Sequence, residues 1–464
     1  MASLSRQFAQ WVTGLRYEDL PPEVVDRAKG VTLQAIASVL LGSQTPAGKQ
    51  AAAFISEEEA GVKNGATILV SGAKVTKAGA AFANSEMAFS GGKWDTFRML
   101  THPGTSIIPV ALVAAEASGA SGKTYLTGVA AAYEVMERMA ADFIPTMMAH
   151  GFHPGPVFGI FGATVAAAKI MGLNEDQVNS AIGLCASLAG GNLESARSGG
   201  RALREGAAVR NAMLAVALAK NGHNAGDTVL EGEAGFYHAF TGNNQGRLTY
   251  SFVGDTHTSL DKITAGLGKD WMFLETLYRI YSTAGYNIAH IDVTAALCKE
   301  NNIQYADVDR VEAVVNWLET RYPSPAYPSR TEDGPAKKGS TAYYTAYGVV
   351  KRGYPVLQPW DGIRADDDPP EVLELMKRVT IIPSHTMTLF GPRITVFMKD
   401  GTSHTKQSTV REFIWDFAEE TRRISEIIPG VPIPAAQFEG IIATCRDLDR
   451  EARADKLVQL TLKK

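Results

Sequence analysis

The stretch PPEVVDRAKGVTLQAIASVLLG, residues 21–42, decides the fold. Its paired prolines fix φ where a helix can begin, Glu23 places an acid in the first turn, and Gly42 supplies a stop. Between them the apolar residues recur at three- and four-residue intervals, the period of a helix face. Outward from this stretch, from 4 to about 220, the texture repeats: Ala-rich segments of roughly ten to twenty residues, broken by Gly, Pro and Asn. Helices are expected at 48–58, 74–89, 106–117, 122–141, 157–171, 174–189 and 205–220, with Asn174 and Gln177 spaced as a capping box. So many helices with so few β-branched runs argue against a Rossmann fold or a barrel.

After about 272 the texture changes. Segments 308–317, 379–382 and 394–399 are β-branched and partly alternating, as strands are, and Asp400-Gly401 between two extended runs is the strongest hairpin signal in the chain. Helical patterning returns at 413–427, 435–448 and 450–460. The expectation is a mainly α protein: a large all-helical domain over 1–270, a smaller α/β domain over 271–409, and C-terminal helices over 410–464 that return to the first. A cleft between two such domains is a common place for a substrate.

Composition narrows the function. Of 464 residues 45% are hydrophobic and 20% charged, enough apolar material for a large core. The net charge of −4 and the absence of a basic run argue against nucleic-acid partners. Three widely separated cysteines, Cys185, Cys298 and Cys445, fit neither a disulfide framework nor a zinc site and suit a reducing cytoplasm. The first residues carry no secretory signal, and the longest apolar stretch, 155–173, holds four glycines and Lys169, so a buried helix is expected there and no membrane span. GxGxxG, GxxxxGK[ST], HExxH and GxSxG are all absent, which removes the nucleotide, zinc-protease and α/β-hydrolase readings.

Three loops between helices hold the polar residues that chemistry would need. The first runs from Gly91 to Gly104 and contains Asp95, Thr96 and His102; the second, HGFHPG, contains His153; the third, SARSGGRALREG, surrounds a glycine pair with Arg197, Arg201 and Arg204. Each has a plain structural reading. A histidine at a helix start caps or packs, Asp95 and Thr96 suit turns, and the arginines suit a solvated face with Glu194 and Glu205. Taken together they offer acid/base candidates and an anion-binding helix terminus, as an enzyme handling a polycarboxylate needs. Tyr343, Tyr344 and Tyr347, near Lys337 and Lys338, read first as packing, with one hydroxyl or ammonium available to close over a substrate.

The chain resembles the MmgE/PrpD family of 2-methylcitrate dehydratases and cis-aconitate decarboxylases. The resemblance is carried by YEDLPPEVVDRAKG, by WDT with THPGTSIIPVAL, by GFHPGPVFGIFGATVAAAKIMGL and by RITVFMKDG. It implies a large helical domain with a smaller α/β lid, a homodimer, a site in the cleft, a small-molecule polycarboxylate substrate, and no metal or other cofactor. The family's DxDDTxxxxxH loop falls on residues 92–102, so Asp95, Thr96 and His102 match, while Gly92 and Trp94 stand where aspartates are usual. Its second histidine falls on His153. Its lysine before the LHxG helix start falls on Arg201, with Arg204 at that motif's histidine, and its lid-entry lysine falls on Arg279 of LYRIYS. Its lid tyrosine aligns with Thr320 or Tyr322.

These departures shift the expected chemistry. A lysine ammonium can give and take protons, whereas a guanidinium stays charged and binds carboxylates. Substrate binding therefore falls to Asp95, Thr96, Arg201, Arg204 and Arg279, and proton transfer to His102, His153, Tyr322 and Lys338. Sequence reading alone prefers an epimerase that removes and returns a proton α to a carboxylate, with iminodisuccinate as substrate. A lyase, dehydrating or decarboxylating 2-methylcitrate or cis-aconitate, stands second, and a non-catalytic polycarboxylate-binding protein third.

Overall fold

Helices build most of the computed structural model, which describes residues 2–198, 200–281, 283–321, 336–355 and 368–463. In chain order the first elements are α1 (Leu4–Gly14), α2 (Pro22–Gly42), α3 (Pro46–Glu58), β1 (Ala66–Thr67), β2 (Lys74–Val75), α4 (Lys77–Ser90) and β3 (Trp94–Thr96). Then come α5 (Pro103–Ser118), α6 (Gly122–Ala140), α7 (Ile144–Ala149), α8 (Pro154–Ile170), α9 (Glu175–Ala186), α10 (Gly200–Lys220), α11 (Phe236–Thr241) and β4 (Leu277–Arg279). The remaining elements are α12 (Gly285–Glu300), β5 (Val308–Asn316), α13 (Thr341–Lys351), α14 (Pro370–Leu375), β6 (Val379–Ser384), β7 (Arg393–Met398), β8 (Ser403–Gln407), α15 (Phe417–Ile424), α16 (Ala435–Arg446) and α17 (Lys456–Thr461). The fold is mainly α with a smaller α/β part, as the sequence leads one to expect.

Two units divide the chain. The first comprises Met1–Leu248, His257–Ile280 and Asp416–Lys464, and the second Thr249–Thr256 and Tyr281–Trp415. In the first unit α2 is buried along nearly its whole length, with Val24, Val31, Leu33, Ile36 and Leu40 in the core. Each such side chain contributes about 1.5–3 kcal/mol of burial. Helix α2 also fastens β4: Arg27 Nη1 donates to Thr276 O (2.8 Å), Gln34 Nε2 donates to Arg279 O (2.9 Å), and Tyr278 Oη reaches Arg27 O. Gly30 makes that approach possible, because a Cβ there would stand 1.9 Å from Tyr278 Oη.

In the second unit the sheet order is β6-β5-β7-β8, with β5 parallel to β6 and antiparallel to β7. One face of β5, through Val311, Ala313 and Val315, packs with Ile394 and Val396 of β7 and with Ile291, Val293, Tyr343 and Val349 of α12 and α13. The expected hairpin is present. Strands β7 and β8 pair antiparallel across Asp400-Gly401, Gly401 lies at φ +88°, and Asp400 Oδ1 accepts from Thr402 N (2.9 Å).

Several boundaries differ from the sequence reading, each for a local reason. Helices α5 and α8 begin at Pro103 and Pro154, three residues earlier than expected, because a proline in the first turn gives up an N–H that has no helical partner anyway. Lys74–Val75 forms a strand, and Thr76 then caps α4 by accepting from Gly79 N. Segment 413–427 gives α15 followed by a 3-10 turn over Ser425–Gly430, which contains Pro429. Among the described residues no helix is long and apolar enough to cross a membrane, and Cys185, Cys298 and Cys445 are buried and free.

Candidate active site

Strand β3 pairs antiparallel with β4, with Trp94 opposite Arg279, Asp95 opposite Tyr278 and Thr96 opposite Leu277. Opposed residues share a face of the ladder. The Arg279 guanidinium accordingly lies 4.5 Å from the Trp94 ring centroid. Trp94 stacks on Phe89 from α4 (4.6 Å) and also meets the His102 ring (4.5 Å). Arg204, near the start of α10, places its guanidinium 5.8 Å from the Phe89 centroid. Two aromatic rings thus carry a guanidinium at each end and an imidazole beside them, contacts that help to hold cations in a buried place. This platform is the structural consequence of a tryptophan at position 94.

His102 and His153 are the N-cap residues of α5 and α8. Their rings are held differently. His102 Nδ1 is 2.9 Å from Asp95 O, a carbonyl that can only accept, so Nδ1 carries the proton and the lone pair resides on Nε2. Thr96 Oγ1 flanks the same nitrogen at 3.3 Å. His153 Nδ1 instead accepts from the main-chain N–H of Gly155 (3.2 Å), which puts the proton on Nε2. His102 can therefore gain and return a proton at Nε2 while keeping its anchor, whereas His153 is set as a neutral hydrogen-bond donor.

Asp95 holds this arrangement from behind. Its two oxygens accept from Gly104 N (2.9 and 3.0 Å), at the mouth of α5, and from Tyr133 Oη of α6 (2.5 Å). Burial pushes its carboxyl up to about 6, opposed by those hydrogen bonds and by the Arg279 charge. Every one of these bonds is internal, which suits an anchor for the helix carrying His102. The connecting loop is strained: Arg98 (φ +50°) and Leu100 (φ +61°) are left-handed without being glycine, held by Phe97 N donating to Thr101 O and by an Arg98–Glu275 ion pair (2.7 Å). Such conformations cost about 1–3 kcal/mol each and persist where surrounding structure over-determines them.

The remaining site candidates lie elsewhere or are only partly described. Arg201 is on the first turn of α10, and its side chain is outside the described residues. Tyr322 lies outside the described residues altogether. Lys338 is in the second unit, with its side chain 56% exposed and paired with Asp368 (2.8 Å). The structure brings together Asp95, Thr96, His102, Arg204 and Arg279, and His153 joins them through the packing of α8 on α5 and α10. His153 N donates to Gly191 O (2.9 Å), and Gly191 in turn lies against Arg204.

Sequence reasoning passed over Phe89 and Tyr133, and over Lys93, which is buried and lines a small space with Trp94, Asp95 and Gly104. Its plain alternative for the arginine loop, a solvated face with Glu205, does not hold for this carboxyl, which is buried among α5, α8 and α10. A lone glutamate directly after Arg204, inside an arginine-rich stretch, carries no local sign of that. Among the described residues no cluster of three or more His, Cys, Asp or Glu is disposed to hold a metal ion.

The MmgE/PrpD N-terminal domain matches residues 6–249, more than half of the chain. The chain belongs to the MmgE/PrpD family of enzymes. It is similar to the cis-aconitate decarboxylase-like protein oryM of Aspergillus oryzae (strain ATCC 42149 / RIB 40), at 24% identity over 422 residues, covering 86% of this chain and 84% of that one. Cis-aconitate decarboxylase of Aspergillus terreus (strain NIH 2624 / FGSC A1156) is 24% identical over 429 residues, 87% of this chain and 84% of its own. The Homo sapiens cis-aconitate decarboxylase is 26% identical over 287 residues, 59% and 58% of the two chains.

Proposed function

We propose that this protein is a lyase that removes carbon dioxide or water from a tricarboxylate of the cis-aconitate or 2-methylcitrate type. The observation that carries the proposal is the likeness, over more than four-fifths of the chain, to proteins named cis-aconitate decarboxylase. The side chains support it chemically. In decarboxylation the bond to one carboxyl carbon breaks, carbon dioxide leaves, and the electron pair passes into the remaining unsaturated carboxylate until a carbon takes up a proton. Arg204 and Arg279 suit the substrate's carboxylates, His153 Nε2–H suits the oxygen where charge develops, and His102 Nε2 suits the proton transfer. In dehydration His102 Nε2 would take the proton from the carbon α to a carboxylate, that electron pair would form the double bond as the neighbouring C–O bond breaks, and the proton would pass to the departing hydroxyl, which leaves as water.

Epimerisation of iminodisuccinate, the first choice from sequence alone, takes second place because the relatives bear decarboxylase names. One observation still favours it: arginine stands at 201, 204 and 279, so these positions bind carboxylates without supplying protons. A homodimer in a reducing cytoplasm belongs to the same proposal.

The test is incubation of the purified protein in deuterium oxide with cis-aconitate, 2-methylcitrate and single stereoisomers of iminodisuccinate, followed by NMR. The lyase reading expects carbon dioxide or water to be lost from one of the first two, with deuterium in a decarboxylated product. Deuterium entering iminodisuccinate with stereochemical scrambling, and no loss from the others, would move the assignment to the epimerase. Tight binding with neither change would make the chain a polycarboxylate-binding protein.

A further inference from the structure

One buried group touches all three helix starts of the site and has no part in the chemistry above. Glu205 follows Arg204 on α10 and is 1% exposed. Its Oε2 accepts from Ser106 Oγ (3.3 Å), one turn into α5 from His102. Its Oε1 lies against Gly155 of α8: a Cβ there would stand 2.8 Å from that oxygen and 3.0 Å from His153 Nδ1. The carboxyl, the imidazole and the glycine whose N–H anchors that imidazole therefore share one small space, and no side chain larger than hydrogen fits between them. Arg204 Nε stands 3.8 Å from Oε1, beyond hydrogen-bond reach.

The next residue along α10 brings in a second acid. Gly206 faces Glu86 of α4, where a Cβ would stand 2.5 Å from Glu86 Oε1. Glu86 Oε1 and Glu205 Oε1 are both buried without a hydrogen-bond partner. A buried carboxylate oxygen in that condition is costly, and two such charges in neighbouring positions are costlier still.

We propose that Glu86 and Glu205 form a buried carboxyl pair that retains a proton near neutral pH, and that Glu205 is a positioning residue whose charge sets the potential at Arg204 and at the mouth of α8. The proposal rests on reading the site as one for polycarboxylates. The groups facing Glu205 are Arg204 on its own helix, the neutral Ser106 from α5 and His153 from α8, and Glu86 of α4 lies against the neighbouring Gly206. Burial pushes both acids up to about 7; Arg204 and Ser106 hold Glu205 down, while the Gly206 N–H lowers and the Glu205 charge raises Glu86. The pair titrates as a unit. When Glu205 is ionised it cancels part of the Arg204 charge, and when it is protonated that opposing charge is removed. A polyanion bound beside Arg204 must therefore raise the proton affinity of the pair, so binding takes up a proton from solution.

The probe is propane-1,2,3-tricarboxylate, a saturated tricarboxylate with no double bond to react, titrated calorimetrically at pH 7 in two buffers of different ionisation enthalpy. The wild-type protein is expected to take up a substantial fraction of one proton per ligand. Glu205→Gln is expected to bind with that uptake abolished or strongly reduced, and Glu86→Gln with uptake moved to lower pH. Binding by wild type without proton uptake, or equal uptake by Glu205→Gln, would overturn the proposal. Infrared difference spectra of the ligand-free proteins between pH 6 and pH 8 give an independent reading, since a protonated buried carboxyl has its own carbonyl band. That band should diminish in both variants, and its persistence in both would also overturn the pair. If the tricarboxylate does not bind at all, the functional reading fails, and the infrared result alone decides the carboxyl pair.

Discussion

The histidines of the two units differ in how their ring nitrogens are engaged, and the difference separates chemistry from architecture. In the helical unit His102 and His153 sit at helix starts with Nδ1 fixed by the main chain, so each ring has a defined tautomer and Nε2 is the nitrogen that varies between donor and acceptor. In the second unit His290 lies in the middle of α12. Its Nδ1 meets Thr345 Oγ1 (2.7 Å) and its Nε2 faces Glu319 Oε2 (3.9 Å), while Glu319 Oε1 accepts from Phe390 N (2.9 Å). Thr345 Oγ1 already donates to Thr341 O, so it accepts from His290, and both imidazole nitrogens face side chains of the same buried cluster. His290 ties α12 to α13 through Thr345, and its ring serves that junction.

The largest effect should come from breaking the first kind of histidine. His102→Ala is expected to lower turnover by about 10²- to 10⁴-fold, as for loss of a general acid/base, with a melting temperature close to wild type. His290→Ala should do the reverse: a loss of about 2–4 kcal/mol in chemical denaturation, because a fully buried ring and its bond to Thr345 are lost from the packed cluster, and nearly unchanged kinetics in the protein that remains folded. Equal outcomes for the two substitutions would dissolve the comparison.

A third test concerns charge without chemistry. Glu420 on α15 is fully buried, neither carboxyl oxygen has a hydrogen-bond partner, and burial pushes it up to about 8, opposed by Arg423 and Arg27. Its folded pKa exceeds its unfolded one, so the folded state binds more protons between about pH 4.5 and pH 8. Stability must then fall as pH rises through that window, by up to about 1.4 kcal/mol per pH unit. Glu420→Gln should flatten this part of the stability profile, measured by denaturation at pH 5, 7 and 9. An unchanged slope would remove Glu420 as its source.

Smaller effects sharpen the picture. Arg279→Lys is expected to raise KM for a polycarboxylate about tenfold and to change kcat less, since the ammonium keeps the charge while losing the planar contact with Trp94. Gly401→Ala should cost only about 1 kcal/mol in the second unit, from the left-handed turn at φ +88°, and leave turnover unchanged.

What could be read from the sequence was what is local. The proline starts of α2, the Asn174–Gln177 capping box and the Asp400-Gly401 hairpin each declare themselves within a few residues, and the structure contains all three. His102 and His153 were likewise legible as residues on loops entering helices. The β3–β4 pairing was not, because it joins Trp94 to Arg279 across most of the helical unit and each strand is only three residues long. Nothing near Asp95 announces that its carboxyl will be used by Gly104 and Tyr133, and nothing near Glu205 announces burial beside Gly155. Those assignments depend on three helices packing together, a non-local event that leaves no periodic trace.

The last residues of the chain rejoin the unit that holds the site. Gly122 N donates to Glu451 O, Ala454 N donates to Ala120 O and Lys463 N donates to Val70 O, so the final segment closes backbone bonds with helices made at the beginning. On the ribosome the order of synthesis runs against this arrangement. His102, His153 and Arg279 emerge well before Asp416–Lys464 does, and the core they belong to stays incomplete until that segment has been made. The nascent helical unit must therefore wait with apolar surface uncovered, and a chain cut before Asp416 would carry His102, His153 and Arg279 without the segment that completes their unit.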